Sequence, residues 1–154
     1  MALNFYTTPV APPNELGTFF ATNQNIRVCP GQSNRAFEAR CTFRNQGATI
    51  IAANGHFHSR GVDFTIAPVD ATGSVGNIFY ESTHWDDPPM ARDLSVPIPP
   101  GGGIDWRCAF SAPSGSCGDP ADSCCFTFGG KVESQEHCNA FVYYYPKSQD
   151  ITCF

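Results

Sequence analysis

Apolar and polar side chains alternate along much of this chain, in segments that are too short for helices. Residues 36–43 alternate clearly, as a strand does when one of its faces is buried. Residues 48–58 begin with β-branched side chains, which favour strands. In that segment a period of two would place these side chains on one face: Ile50, Ala52, Asn54, His56 and His58. Further short strands are predicted at residues 62–69, 76–82, 94–98, 104–110, 125–128 and 140–145.

These segments predict an all-β fold. No helical period of 3.6 persists over a useful length, and Gly, Pro, Asp or Ser residues separate the candidate strands. Eight or nine short strands are typical of an antiparallel β-sandwich or jelly roll. We expect one domain over residues 1–154, with residues 1–34 as a less certain N-terminal edge segment that holds an edge strand at residues 17–21. Residues 111–123 are expected to form a surface loop.

Composition and charge exclude some partners. The chain has 154 residues and a formal net charge of -5, and its Lys and Arg residues do not cluster. This lacks the basic surface of a nucleic-acid or anionic-membrane binder, so neither partner is expected. No apolar run reaches the ~18 residues of a membrane helix. The first residues do not resemble a signal peptide, so we expect Met1 to follow a removed leader or an upstream domain.

The eight cysteines form an even set without the paired C-x-x-C spacing of structural zinc sites or redox motifs. Disulfides are therefore expected, which places the protein in an oxidising compartment: secreted, periplasmic or at the cell surface. Cysteine nucleophiles are not expected, because bonded cysteines offer no thiolate. The cysteines are Cys29, Cys41, Cys108, Cys117, Cys124, Cys125, Cys138 and Cys153.

Histidine is the residue type that indicates chemistry here. Two of the four histidines, His56 and His58, stand two residues apart, so on a strand their imidazoles would converge on one ion while Phe57 faces the opposite layer. Alone, this pair does not distinguish metal ligands from two surface histidines. His84 is interpreted as a loop residue rather than a fourth ligand. Glu133 and Glu136 are expected to be solvated loop carboxylates, the alternative being hydrogen bonds to a ligand imidazole.

The surroundings of this pair resemble a known family. The arrangement is H-x-H-x-x-G at residues 56–61, followed downstream by G-G-x-x-x-x-x-E-H-C-N at residues 129–139 and by a tyrosine-rich strand ending in Tyr145-Pro146. A cysteine-bearing strand at residues 106–110 follows a Pro/Gly turn, residues 99–102. Together these features resemble the C-terminal domain of the copper type II, ascorbate-dependent monooxygenases, over about residues 41–153.

The resemblance implies a site for one copper ion, at which dioxygen is activated. The family uses the two histidines of H-x-H and a methionine, and the methionine position is His137 here. A thioether favours Cu(I), whereas a third imidazole favours Cu(II) and also suits zinc. The resemblance also implies the bridges Cys41–Cys153 and Cys108–Cys138. It leaves four cysteines, for which we favour Cys117 bonded to Cys124 or Cys125, and Cys29 bonded to the other.

Two further departures concern substrate and electrons. Peptide-processing members hold a substrate carboxylate with a basic residue and a tyrosine, and the matching positions here are Asn54 and Phe141, while Asn139 keeps the family asparagine. A peptide ending in glycine is therefore not expected as the substrate, which stays an unknown small molecule or peptide. The 154 residues do not include the electron-transfer copper domain of the family, so an external electron donor is expected.

Three functions remain open from the sequence. The first is a copper monooxygenase-like oxidoreductase that uses dioxygen to hydroxylate an aliphatic C–H bond, with no catalytic acid or base identified. The second is a non-catalytic module that stores, delivers or senses copper, and the third is a zinc hydrolase or lyase with three histidine ligands. An adhesion sandwich with a vestigial site is a further alternative.

Overall fold

The structure is a computed structural model that describes residues 6–7, 9–11, 14–43, 47–148 and 150–154. It is all-β: one 3₁₀ turn, Pro120–Asp122, is the helical element among these residues, and none of them forms a helix that could cross a membrane. The strands, numbered in chain order, are β1 Gly17–Thr22, β2 Arg27–Val28, β3 Arg35–Thr42, β4 Ala48–His56, β5 Gly61–Val69, β6 Tyr80–Ser82, β7 Val96–Ile98, β8 Gly103–Phe110, β9 Phe126–Phe128, β10 Gln135–Glu136, β11 Asn139–Tyr145 and β12 Ile151–Cys153.

Two larger sheets share one hydrophobic core. The five-stranded sheet has the order β12-β1-β11-β4-β7, and the four-stranded sheet has the order β3-β8-β5-β6. Phe19 and Ile50 of the first sheet belong to the same buried cluster as Phe64 and Trp106 of the second. This arrangement is consistent with the predicted β-sandwich, while the jelly-roll connectivity stays a prediction. A small third sheet has the order β10-β9-β2.

The alternation of β11 separates the core from the outer face of the five-stranded sheet. Ala140, Val142 and Tyr144 are buried, whereas Phe141 and Tyr145 between and after them are exposed. Because residues directly opposite in an antiparallel pair share a face, the partners of Phe141 and of its same-face neighbours also lie on the outer face. This outer face is the one on which the candidate site is built.

The predicted strands are found, with differences at the ends. Segments near residues 36–43, 62–69, 104–110 and 140–145 form β3, β5, β8 and β11. The structure adds three short strands that the sequence did not predict, β2, β10 and β12, each of two or three residues and therefore too short to show a period. The edge position predicted for residues 17–21 is wrong, because β1 pairs with β11 on one side and with β12 on the other.

A β-bulge corrects the predicted face of β4. Ala52 pairs with Tyr143 and Ile50 with Tyr144, so Ile51 is an extra residue and the alternation shifts. Ile50 is therefore fully buried in the core, not on the face of His56 and Asn54 as the period of two predicted. The strand also ends at His56, which leaves His58 in the following turn.

All eight cysteines are bonded. The two bridges implied by the resemblance are present, Cys41–Cys153 and Cys108–Cys138, and each joins one large sheet to a strand or strand flank of the other. The remaining four form Cys29–Cys125 and Cys117–Cys124. That pairing selects one of the alternatives the sequence left open, and four disulfides fit an oxidising compartment.

Candidate metal centre

Three histidines meet at one end of the five-stranded sheet, where β4 ends and β11 begins. His56 is the last residue of β4, His58 follows it in the turn before β5, and His137 stands between β10 and β11. Their potential ligand nitrogens all lie within 4.8 Å of one another. The ring centroids are 5.3 Å apart for His56 and His58, 5.4 Å for His56 and His137, and 4.3 Å for His58 and His137. The structure thus brings together the three residues singled out as metal ligands.

Phe57 orients the two histidines of the turn. It is fully buried and packs near the rings of Phe64 and Phe110, so its side chain faces away from the two imidazoles. Gly55 and Gly61 make this packing feasible: a Cβ at Gly55 would overlap the Phe64 ring, and a Cβ at Gly61 would overlap the Phe57 ring. The glycines that flank H-x-H therefore set the close approach of the chain to the core.

A carbonyl group fixes the tautomer of His58. Its Nδ1 lies 2.8 Å from the carbonyl oxygen of Gln135. A carbonyl only accepts, so Nδ1–H donates and the Nε2 lone pair is left for a ligand. His58 is also the most buried of the three, since its side chain is grouped with the buried polar residues at 3% exposure.

Glu136 ties the H-x-H turn to β10, and this corrects the expectation of a solvated carboxylate. It is 0% exposed, and its two carboxylate oxygens accept the backbone N–H groups of His58 (3.0 Å) and Arg60 (3.1 Å). Burial raises its pKa to about 7, although these donors and the Arg60 guanidinium oppose the shift. The other acid, Glu133, is exposed as predicted.

Arg60 also links the H-x-H turn to the loop before His137. Its guanidinium lies 3.7 Å from a Glu136 oxygen and 4.3 Å from the Phe126 ring centroid, and it donates to the carbonyl oxygens of Val132 and Glu133. A planar guanidinium with several fixed donors holds such an arrangement better than an ammonium would. The loop that precedes His137 is thereby attached to the turn that carries His58.

The site favours neutral imidazoles. Burial, followed by the charges of His58 and His56, lowers the pKa of His137 to about 4. Burial and then the charge of His58 lower the pKa of His56 as well. Neutral imidazole is the form that binds a metal ion. This environment therefore keeps His56 and His137 neutral, and able to bind metal, at pH values below the ordinary histidine pKa of about 6.5.

An unpartnered nitrogen tests whether a metal fits. His137 Nδ1 is buried and has no hydrogen-bond partner, which ordinarily costs about 1–3 kcal/mol. Coordination would satisfy such an atom. Two nitrogens bound at about 2.0–2.1 Å to one ion lie at most about 4.2 Å apart, so rings within 4.8 Å need only small rotations. The three histidines therefore fit a copper or zinc ion.

The other predicted residues lie on the same face or elsewhere. Asn139 pairs with His56, and Phe141 pairs with Asn54 two residues along. The Asn54 amide group donates to the carbonyl oxygens of Pro88 and Pro89. Within the described chain His84 does not join the cluster. Sequence reasoning missed Thr22, which lies across β11 from His56, because strand order is not readable from local pattern.

The comparisons with known proteins identify the family. The family model described as copper type II ascorbate-dependent monooxygenase, C-terminal domain, matches residues 14–154. The chain belongs to this family of copper-dependent enzymes. No curated protein sequence matches the chain.

One solved structure that the chain matches is that of infectious bursal disease virus, Gx strain. It has 12% sequence identity and a TM-score of 0.36, and the match covers 96% of this chain and 37% of the viral one. At that identity and TM-score the likeness contributes nothing to the assignment of function.

Proposed function

We propose that this protein binds one copper ion through His56, His58 and His137 and acts as a monooxygenase toward an aliphatic C–H bond of an organic substrate. The observation that carries the proposal is the cluster of three mutually close imidazoles in a chain of this family. The reaction class consumes dioxygen, two electrons and two protons and yields a hydroxylated product and water. An external reductant, such as ascorbate, supplies the electrons.

The residues divide the work as follows. Bound copper supplies the redox chemistry that reduces dioxygen and transfers one oxygen atom to a C–H bond. The Gln135 carbonyl holds His58 Nδ1, which would leave Nε2 to bind the ion, and Glu136 fixes the backbone of the same turn. Asn54, Asn139 and Phe141 bind the substrate on the adjoining sheet face. The protein works outside the cell or in the periplasm, where its four disulfides persist.

A second function, a copper store or sensor without turnover, is favoured by one observation. His137 stands where the family has methionine, and three nitrogen ligands stabilise Cu(II) relative to Cu(I). A site that holds Cu(II) firmly is suited to retaining the ion. The same three imidazoles would also accept zinc, but the Irving–Williams order ranks copper above zinc at a nitrogen site.

Metal titration followed by oxygen uptake tests these functions. We expect one tight Cu(II) per chain with a nitrogen-rich electron paramagnetic resonance spectrum, lost in His56→Ala, His58→Ala and His137→Ala. His84→Ala is the matched control and should bind copper normally. Copper that stays bound without the three histidines, or a preference for zinc, would overturn the copper site. Ascorbate-dependent oxygen uptake with a hydroxylated product supports the enzyme, and tight copper without uptake supports the store.

A further inference from the structure

The outer sheet face beside the histidines carries a polar row and an apolar row. In the polar row, Thr22 of β1 pairs with Asn139 of β11, which pairs with His56 of β4. In the next row, Phe20 pairs with Phe141, which pairs with Asn54. Same-face neighbours along a strand are about 7 Å apart, so the apolar row begins one side chain away from the candidate metal ligands.

The polar row contains atoms that lack a partner. Thr22 is 2% exposed and Asn139 is 7% exposed, yet Thr22 Oγ1 and Asn139 Oδ1 are buried without hydrogen bonds. In the described part of the chain, the only other side-chain atom in this condition belongs to His137. The three unsatisfied atoms therefore lie together around the candidate centre. An amide oxygen accepts a hydrogen bond, so the partner that would satisfy it is an N–H or O–H donor.

The apolar row forms a surface that a hydrocarbon group could cover. Phe141 is 36% exposed and Phe20 lies against it, with ring centroids 5.1 Å apart. The mutual backbone hydrogen bonds of Ala53 and Ala91 place Met90, 38% exposed, across from Asn54. Phenyl and thioether side chains pack favourably against aromatic or alkyl groups.

The side chains of these two rows offer no partner for an ionic head group. None of Thr22, Asn139, Phe20, Phe141 and Asn54 is charged, and the Asn54 amide hydrogens are already taken by two carbonyls. A desolvated carboxylate would find no cation there to offset its loss of water. The exposed Arg92 lies across from Ala52 by the same register, two residue positions farther from the histidines than Asn54, so a carboxylate is included among the probes.

We infer that the substrate is an uncharged amphipathic molecule, with an aryl or alkyl group on Phe20 and Phe141 and a hydroxyl or amide donor on Asn139 and Thr22. This inference rests on the proposed function, since it names the substrate class of the same site. It predicts that recognition depends on the donor and on the apolar group together, and not on a negative charge.

Four matched probes test this on the full chain without metal, because a carboxylate would ligate copper directly. The probes are 3-phenylpropanamide, its carboxylate analogue 3-phenylpropanoate, methyl 3-phenylpropanoate without a donor, and propanamide without a ring. Ligand-observed nuclear magnetic resonance and calorimetry should show the phenyl amide binding at least ~10-fold more tightly than each of the other three, a difference of about 1.4 kcal/mol. Equal or tighter binding of the carboxylate overturns the inference.

Variants locate the binding. Phe141→Ala should weaken 3-phenylpropanamide at least ~5-fold, whereas Tyr145→Ala, a matched control of 40% exposure on the same strand, should leave binding unchanged. Should Phe141→Ala fail to fold by circular dichroism, the four-probe comparison on the unaltered chain still decides. Copper titration of the unaltered chain is a separate measurement. If the chain does not bind copper but binds the probes as expected, the proposed function alone is refuted. If it binds copper but does not prefer the phenyl amide, this inference alone is refuted.

Discussion

At the scale of single residues, the proposed third ligand distinguishes this chain. His137 occupies the position at which family members carry methionine. The centroids of the His137 and His58 rings are 4.3 Å apart. A thioether is a softer ligand than imidazole, so the identity of this residue sets the balance between the two oxidation states of copper.

Changing His137 to Met should shift the preference toward Cu(I). We expect the ratio of Cu(I) to Cu(II) affinity to rise at least ~10-fold, about 1.4 kcal/mol, because a soft thioether replaces a nitrogen ligand. Competition with chelators specific for each oxidation state measures the two affinities. His84→Met is the control and should alter neither. An unchanged ratio would mean that His137 does not ligate the ion.

Glu136 is the residue whose role the sequence least revealed. Replacing it with Gln puts an NH₂ group against one of the two backbone N–H donors and removes the ion pair with Arg60. Loss of a buried hydrogen bond of this kind costs about 1–3 kcal/mol of unfolding free energy. Copper affinity should fall about 10-fold or more, as when the partner of a ligand is lost.

Urea unfolding and copper competition at one pH measure both effects of Glu136→Gln. Glu133→Gln provides the matched control, because Glu133 is exposed in the same loop and should tolerate the change. If the two variants behave alike, Glu136 does not position the site.

The pKa values of the histidines should determine the pH at which bound copper is released. Burial lowers the pKa of His137 to about 4 and lowers that of His56. Protons compete with copper for imidazole nitrogen, so a lowered pKa means weaker competition and retention to lower pH. We expect half of the copper to be released below pH 6.5, the ordinary value for histidine. Equilibrium dialysis across pH 4–8 measures this, and half-release above pH 6.5 would contradict it.

At the scale of elements, the spacing between the sheets positions the H-x-H turn. β4 and β5 leave room for Phe57 between the two large sheets because Gly61 has no side chain at the point of contact. A short turn with both flanking glycines close to aromatic rings cannot shift without moving the two histidines. The turn therefore acts as a rigid holder for the site.

Gly61→Ala should destabilise the fold and also weaken copper binding. The added methyl group overlaps the Phe57 ring, and overpacking of this kind costs about 1–3 kcal/mol. Thermal or urea unfolding measures the stability, and copper competition measures the affinity. Gly130→Ala is the control, since nothing lies within 4 Å of a Cβ there. Equal stability of the two variants would show that Phe57 is free to move.

At the scale of the whole molecule, two disulfides connect the large sheets. Cys41–Cys153 joins β3 to β12, and Cys108–Cys138 joins β8 to the residue after His137. Cys108 and Cys138 are fully buried, next to the Trp106 indole that donates to the Cys138 carbonyl. The second bridge therefore stabilises the fold and holds a candidate ligand in place.

Replacing Cys108 and Cys138 with Ser should cost more than replacing Cys117 and Cys124. The separations are 30 and 7 residues, for which loop entropy gives about 4 and about 2 kcal/mol. Only the variant without Cys108 and Cys138 should also bind copper more weakly, because Cys138 adjoins His137. Urea unfolding and copper titration on both variants test this, and copper binding unaffected by loss of Cys108–Cys138 would argue against that link.

The sequence by itself determined the longer strand segments, the even cysteine set and the three histidines, because each depends on local period, count or motif. It did not determine that β1 is an interior strand, that Ile50 turns into the core at a bulge, or that Glu136 is buried. These features depend on which strands pair and in which register. Pairing is decided by burial of the whole core, so only the tertiary structure places Thr22 and Phe20 beside a site built from residues more than thirty positions away.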